Sequence, residues 1–488
     1  MRLKQLIRTL DSYKTYSEIN DFEVKGLSCN SQNVSERFLF VAIKGNKEDG
    51  HKFIKEAIAK GARAILTQGQ YPGTKGREDV CFIEAPDTRQ ALATLASEFY
   101  GRPSEKIKVI GITGTNGKTT ISYLIEAVLK ETHLNPGVVG TVNYRFKDKA
   151  LAAKNTTPGP IEIQSLLAQM VNEHLEYVIM EVSSHALDQE RTAGINFHSA
   201  IFTNLTQDHL DYHVSLENYF QVKAGLFKNL ESDSFCVINN DDAYGRRLKK
   251  LTSAEVITYG IDTHADVVAR YIKLDISQTE FEVKTDKVQV NLRTQLIGNH
   301  NVYNLLACIA WAIKEGLELP VIKSAIEKFS FVPGRLERID SRADFAVFVD
   351  YAHTEDALSN VLGFLRQIAS GRIIVVFGCG GERDKTKRPK IGKVVSELAD
   401  YAIITNDNPR SEDPDEIIAA IRNGIAKNNY CVILDRREAI VQALSIAKSG
   451  DIVLIAGKGH EDYQILKDKT IHFDDREVTR ECLAARKF

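Results

Sequence analysis

The sequence predicts an α/β protein of three domains. These are a small N-terminal α/β domain (residues 1–104), a central parallel-sheet domain built on a phosphate loop with an appended antiparallel hairpin (105–332), and a C-terminal Rossmann-like α/β domain (333–488). Three observations predict it. A chain of 488 residues is long enough for about three domains of ~150 residues each. Short apolar runs recur along it, each followed by a polar or glycine-rich cluster, as expected of strands buried on both faces that end at a crevice. One such run leads into a glycine loop and then a stretch of helical period.

The first segment holds the buried-strand run Phe38-Leu39-Phe40-Val41-Ala42-Ile43, a helical stretch from Lys52 to Lys60 and a second run at Ala64-Ile65-Leu66, and it closes at Arg102-Pro103-Ser104. In the second, Val109-Ile110-Gly111-Ile112 precedes the glycine loop, and Ile121, Leu124, Ile125 and Val128 then repeat at the spacing of a helix with one buried face. Tyr177 to Val182, Ala200 to Phe202 and Phe235 to Ile238 read as further buried strands. Phe281/Val283 and Val288/Val290/Leu292 alternate around Thr285-Asp286-Lys287, which predicts the hairpin. The third segment repeats the pattern at Phe345 to Val349, Ile373 to Phe377, Ala402 to Ile404 and Ile452 to Ile455. The polar clusters after these runs should meet in one crevice, because ligands of open parallel sheets bind beyond the strands' carboxyl ends.

Composition narrows the function. With 63 basic and 65 acidic residues the net charge is −2, which favours neither nucleic acid nor an anionic membrane as partner. No run approaches the ~18 apolar residues of a membrane span, and the start MRLKQLIRTL lacks a cleavage site, so a cytoplasmic protein without membrane insertion is expected. The seven cysteines are scattered and never in Cys-x-x-Cys spacing, as expected of small buried hydrophobes.

Chemistry concentrates first at Gly114-Thr115-Asn116-Gly117-Lys118-Thr119-Thr120. Backbone N–H groups of such a turn close around phosphate oxygens, the helix that follows presents its positive end, the lysine adds a charge and Thr119 can bind Mg²⁺. The strict eight-residue spacing is not met, since its first glycine position is Ile112. Glu181, at the end of an apolar strand in Glu181-Val182-Ser183-Ser184-His185, offers an oxygen ligand for the same cation or a plain strand-end cap. The stretch Thr203 to His213 packs two histidines and two aspartates into eleven residues; His209 is a candidate metal ligand oriented by Asp208 or Asp211, or part of a hydrogen-bonded turn.

At these residues the sequence resembles the Mur ligases, and within that family the members that add the third amino acid of the peptide. The resemblance runs through Asp49-Gly50-His51-Lys52-Phe53, Thr113 to Thr120, Asn155-Thr156-Thr157-Pro158, Glu181 to His185, Thr203 to His213, Gly334-Arg335, Asp350 to His353, Gly378 to Asp384, Asp407 to Arg410 and Gly457 to Gln464. It implies an ATP- and Mg²⁺-dependent ligase of peptidoglycan synthesis, in which a carboxylate of UDP-MurNAc-L-Ala-D-Glu attacks the γ-phosphate of ATP and an amine then attacks the acyl phosphate. The three segments would bind the UDP-sugar, ATP and the amino acid in turn. Catalysis would rest on Lys118, Glu181, His209 and Lys223, with Thr119, Glu181, His209 and Lys223, the last as an N6-carboxylysine (carbamate), as metal ligands. ATP would be held by Gly114 to Thr120 together with Asn301, Asn304, Arg335, Asp350 and His353. The UDP-sugar peptide would meet Ser31, Asn155, Thr156, Thr157, Ser183, Gln189 and Arg191. Asn30-Ser31-Gln32 replaces the family's usual Asp-Ser-Arg, and Glu355 replaces its usual proline.

The same resemblance implies which amino acid is added. Asp407-Asn408-Pro409-Arg410 matches the pattern of members that add meso-2,6-diaminopimelate, whose distal carboxylate the arginine grips; Arg383, Asn408, Gly457 and Glu461 would complete the pocket, with Glu461 on the distal ammonium. Lysine lacks that carboxylate, and a buried guanidinium left without its anion is costly. Glu382 replaces a common aspartate beside Arg383. Three alternatives remain at this point: the same reaction with L-lysine, a ligase like folylpolyglutamate synthase, and a nucleotide-binding regulator without catalysis. A monomer is expected, with hinges near 105 and 333.

Overall fold

The structure is a computed structural model that describes residues 1–16, 19–45, 48–69, 79–341 and 343–485. Its first five-stranded sheet runs Lys14–Thr15, Cys81–Glu84, Ala62–Thr67, Phe38–Val41, Gly26–Ser28, parallel except for the short first strand.

The central sheet has 11 strands. Its middle is parallel and carries Phe235–Asn239, Phe197–Phe202, Lys108–Thr113, Tyr177–Glu181 and Gly137–Val139 side by side. Alternate side chains feed two cores: Ile110, Ile112, Ile179, Ile201 and Val237 pack on one face, and Val109, Val178, Met180, Ala200 and Ile238 on the other. That is why these strands read as unbroken apolar runs and not as alternation. The expected hairpin is Thr279–Lys284 paired antiparallel with Gln289–Thr294 at one edge. A second antiparallel extension, Asn143–Phe146 with Lys149–Ala152, closes the opposite edge and was not expected.

The third sheet has six strands in the order Glu337–Arg338, Ala346–Asp350, Ile452–Ala456, Ile373–Phe377, Tyr401–Ile404, Tyr430–Val432, parallel apart from the first. It too is covered on both faces, with Ile373, Val375 and Phe377 in one core and Ile374 and Val376 in the other. Cys81, Cys236, Cys308 and Cys379 are buried as expected, whereas Cys29 is exposed and Cys431 and Cys482 are half-buried. Among the described residues no helix is long and apolar enough to cross a membrane.

Candidate active site

The loop 114–117 joins Lys108–Thr113 to the helix Lys118–Glu131. Gly114 has φ 144° and Gly117 φ 90°, and a Cβ would strike Thr203 at the first and Asn304 at the second, so only glycine lets the chain close here. Asn204 ties the loop down: its carbonyl accepts from Thr115 N at 2.8 Å and its Oδ1 from Asn116 N at 3.0 Å. Lys118 is half-buried and curls back, its Nζ donating to the carbonyls of Gly114 and Thr115, each at 2.9 Å. Burial pulls its pKa down while the charges of Glu181 and Asp208 oppose the shift. Among the described residues no carboxylate forms an ion pair with it, which suits a lysine that meets phosphate.

Glu181 leaves its strand fully buried, and Thr119 Oγ1 donates to its Oε2 at 2.9 Å. Thr141, which sequence reasoning missed, donates from its backbone N to Oε1 at 3.1 Å and from Oγ1 to Oε2 at 2.7 Å. Thr141 Oγ1 also lies 3.1 Å from Thr156 Oγ1, so one threonine links the candidate metal carboxylate to the candidate sugar-peptide set. A hydroxyl and a carboxylate together fit a hard cation. Among the described residues no three His, Cys, Asp or Glu side chains gather into a metal cage, so a cation held by Glu181 and His209 would also need Thr119 and phosphate oxygens.

Lys223 is buried in the helix Leu216–Lys228, with Nζ 3.0 Å from Gly114 O and 3.5 Å from Thr113 Oγ1. Burial, with the neighbouring charge of Lys118, sets its pKa well below that of an ordinary lysine. His209 sits at φ 53°, in the left-handed region that non-glycine residues enter rarely. Its Nε2 lies 3.4 Å from Asp208 Oδ2, so Asp208 and not Asp211 pairs with it, and partial desolvation lowers its pKa while nearly half of the side chain stays exposed, at 46%. The shift favours the neutral ring, the form that binds metal.

A cleft of about 340 Å³ is lined by residues 115–120, Asn301, Asn304, Arg335, Asp350 and His353. Of the expected ATP set, Gly114 alone lies behind its wall. Arg335 reaches from the third segment, its Nη2 donating to Thr119 Oγ1 at 3.3 Å while its guanidinium lies 4.6 Å over the Tyr351 ring. Asp350 spends its carboxylate on the backbone N–H groups of Leu336 at 2.5 Å and Ala352 at 2.7 Å, which makes it a brace for the Arg335 turn.

Thr157, Ser183, Gln189 and Arg191 form one network: Ser183 N donates to Thr157 Oγ1 at 3.0 Å, and Arg191 donates to Thr157 O at 2.9 Å and to Gln189 Oε1 at 2.7 Å. Asn155 is held separately, its carbonyl accepting from the Tyr144 hydroxyl at 2.6 Å. Ser31 stands apart in the first segment, donating to Glu56 Oε2 at 2.9 Å. Gln32, where the family has arginine, bridges Glu56 at 2.6 Å and Lys60 at 3.0 Å. Glu355 begins the helix Glu355–Ile368, a position that suits proline and acidic residues alike.

A larger cleft of about 930 Å³ opens at the ends of the third sheet's strands, lined by Arg383, Asp407, Asn408, Arg410, Gly457 and Glu461, so the strand-end clusters do converge. Arg410, at φ 54°, donates to Gly381 O at 2.6 Å, and among the described residues no carboxylate pairs with it. Glu461 accepts from Asn408 Nδ2 at 2.9 Å and from Lys458 Nζ at 3.2 Å. Lys458 lay inside a cluster singled out from the sequence, yet nothing there marked it as buried. Glu382, the other departure, takes a left-handed turn at φ 54° and accepts from Ser411.

Three family models match the chain: the Mur ligase family catalytic domain over residues 23–100, the Mur ligase middle domain over 112–312, and the Mur ligase glutamate ligase domain over 334–459. Curated relatives named UDP-N-acetylmuramoyl-L-alanyl-D-glutamate–2,6-diaminopimelate ligase are similar along their full length. That of Clostridium tetani is 44% identical, covering 99% of both chains, and that of Bacillus cereus 42%, covering 100% of this chain and 99% of its own. A solved structure of a ligase with that name is 31% identical with TM-score 0.68, over 97% of this chain and 99% of the other. Mycobacterium tuberculosis folylpolyglutamate synthase shares the fold at 19% identity and TM-score 0.61, over 76% of this chain and 92% of its own. The chain belongs to the Mur ligase family.

Proposed function

We propose that this protein is an ATP-dependent ligase that joins meso-2,6-diaminopimelate to the D-Glu carboxylate of UDP-MurNAc-L-Ala-D-Glu through an acyl phosphate, a cytoplasmic step of peptidoglycan assembly. One observation carries the geometry: the phosphate cleft and the strand-end cleft share a wall of Asp208, His209, Tyr351, His353 and Thr354, so a phosphate in one and an amine in the other can meet. Segments 1–104, 105–332 and 333–488 then serve the UDP-sugar, ATP and the amino acid.

The glycine loop, Lys118 and Arg335 surround the triphosphate and offset the charge that builds as the carboxylate attacks phosphorus. Thr119, Glu181 and His209 would hold Mg²⁺, which would supply further charge neutralisation and alignment. Asn155, Thr156, Thr157, Ser183, Gln189 and Arg191 fix the peptide so that its carboxylate faces the γ-phosphate. Asn301, Asn304, Asp350 and His353 close the nucleotide side. In the far cleft, Arg410 and Arg383 take the distal carboxylate, Glu461 the distal ammonium, and Asp407, Asn408 and Gly457 shape the floor, leaving the other amine to attack the acyl carbon and expel phosphate.

Burial and the charge of Lys118 lower the proton affinity of Lys223 and so favour the neutral amine, the form that takes up CO₂ as a carbamate. Carbamylation of that amine releases a proton and leaves an anion beside Lys118 that can hold a second Mg²⁺. Lys223→Ala should lower turnover at least ~100-fold without unfolding the protein, and full activity in that variant would refute the role.

The reading is tested by acceptor-dependent phosphate release with ATP, Mg²⁺ and UDP-MurNAc-L-Ala-D-Glu. Diaminopimelate should exceed L-lysine in kcat/KM by about 10²-fold or more, and Arg410→Ala should abolish most of that preference. Equal use of lysine would discard the pocket assignment, and no release with either would discard the ligase.

A further inference from the structure

Lys458 is fully buried at the floor of the strand-end cleft. Its Nζ donates to Tyr463 O at 2.5 Å, Glu461 Oε2 at 3.2 Å and Asn408 Oδ1 at 3.4 Å, so all three of its protons are spent. The amide of Asn408 is spent likewise, its Oδ1 also accepting from Ile465 N at 2.9 Å and its Nδ2 donating to Glu461 Oε2. Both bonds to Glu461 land on Oε2, and among the described residues no hydrogen bond engages Oε1. One carboxylate oxygen is thus anchored while the other is left for a ligand.

We infer that Lys458 is a positioning and specificity-determining residue: its buried ammonium locks Glu461 and Asn408 into the single arrangement that receives the distal ammonium of the acceptor amino acid. This rests on the ligase reading above. Burial raises the pKa of Glu461, the charge of Lys458 opposes that rise, and Asp407 adds to it. Arg436, Tyr351 and Tyr463 also feel this carboxylate, and Arg383 and Arg410 line the same cleft. Arg436 is already neutralised by Asp475, which leaves Lys458 as the cation in contact with Glu461. Without it, Glu461 binds a proton more readily, and the protonated acid offers no anion to the ammonium.

The sign follows. Removing Lys458 raises the Glu461 pKa further, so recognition weakens as pH falls and returns as pH rises. The test measures KM for meso-diaminopimelate from about pH 6 to about pH 9 in the full-length protein, as a ratio of variant to wild type, which cancels titration of the amino acid itself. Lys458→Gln keeps a donor for Tyr463 O and should raise KM about tenfold or more at the acidic end, the ratio shrinking towards alkaline pH. KM for ATP and for the UDP-sugar peptide should not move. Lys458→Arg keeps the charge and should give a ratio flat with pH. In Lys458→Gln/Glu461→Gln the loss should not exceed that of Glu461→Gln alone.

A pH-independent ratio for Lys458→Gln, or a parallel rise in all three KM values, would overturn the inference. Asn408→Asp, which sets a second anion on Lys458 without removing it, should produce the same pH-dependent ratio and serves if the Lys458 variants do not fold. Failure of the ligase reading is separate, since wild-type protein would then release no phosphate with diaminopimelate at any pH.

Discussion

Lys118→Met should lower kcat/KM by about 10³-fold while leaving the folded state almost as stable as before. The activity loss follows from the place of the ammonium, at the mouth of a glycine loop whose backbone is pinned by Asn204 and whose helix begins at Lys118 itself. Nothing else within the loop carries positive charge, and Arg335 approaches from the opposite wall. The small stability change follows from its partners, two backbone carbonyls. A half-buried cation bonded to neutral acceptors contributes little to folding once its desolvation is counted. Phosphate release and thermal unfolding on the same sample check both halves, and a large fall in melting temperature would show the lysine to be structural instead.

Arg436→Met should behave the other way, destabilising the third segment by about 3–5 kcal/mol. Arg436 and Asp475 are both wholly buried, and the guanidinium bonds both carboxylate oxygens at 2.7 Å. Its remaining donors reach Asn406 O at 3.3 Å and Ala456 O at 3.0 Å. Those carbonyls immediately precede Asp407-Asn408-Pro409-Arg410 and Gly457-Lys458, so one side chain ties down both loops of the amino-acid cleft. Removing it strands a buried carboxylate and frees the loops together. Replacing the pair with Arg436→Met/Asp475→Leu should recover much of the stability but not the KM for the amino acid, as thermal unfolding and kinetics would show.

The parallel strands were legible because a strand covered on both faces must be apolar at every position, as Ile373–Phe377 is. The hairpin Asn143–Phe146/Lys149–Ala152 was not, because every residue of its outer strand is exposed and its turn is Lys147-Asp148, with Lys147 at φ 48°, and not a glycine turn. The candidate site divides in the same way. Lys118 follows a glycine loop and Glu181 ends an apolar strand, where sequence pattern fixes their address, and Arg410 stands in the polar loop after Tyr401–Ile404, where the resemblance marks it. Thr141 and Lys458 matter through what they touch, and contact between residues 40 or more apart, such as Thr141 with Glu181 and Lys458 with Asn408, leaves no local signature. Family resemblance named Asp350 among the ATP-binding residues, and what sequence could not give is that each of its oxygens also accepts from a backbone N–H group while the residue lines the phosphate cleft.

Few polar bonds join the second segment to the third at the phosphate cleft. Arg335 bonds Thr119, and Asp356 accepts from Asn116 Nδ2 at 3.4 Å and from Thr206 Oγ1 at 3.1 Å. Two of the groups in these bonds, Thr119 and Arg335, are ones that a cation and a triphosphate would claim. Ligand entry therefore exchanges bonds instead of adding them, and measured affinity is a difference between two closed arrangements. An enzyme built this way lets go of its products by the same exchange run backwards, with segment-to-segment contacts competing for Thr119 and Arg335 at the moment phosphate and ADP must leave.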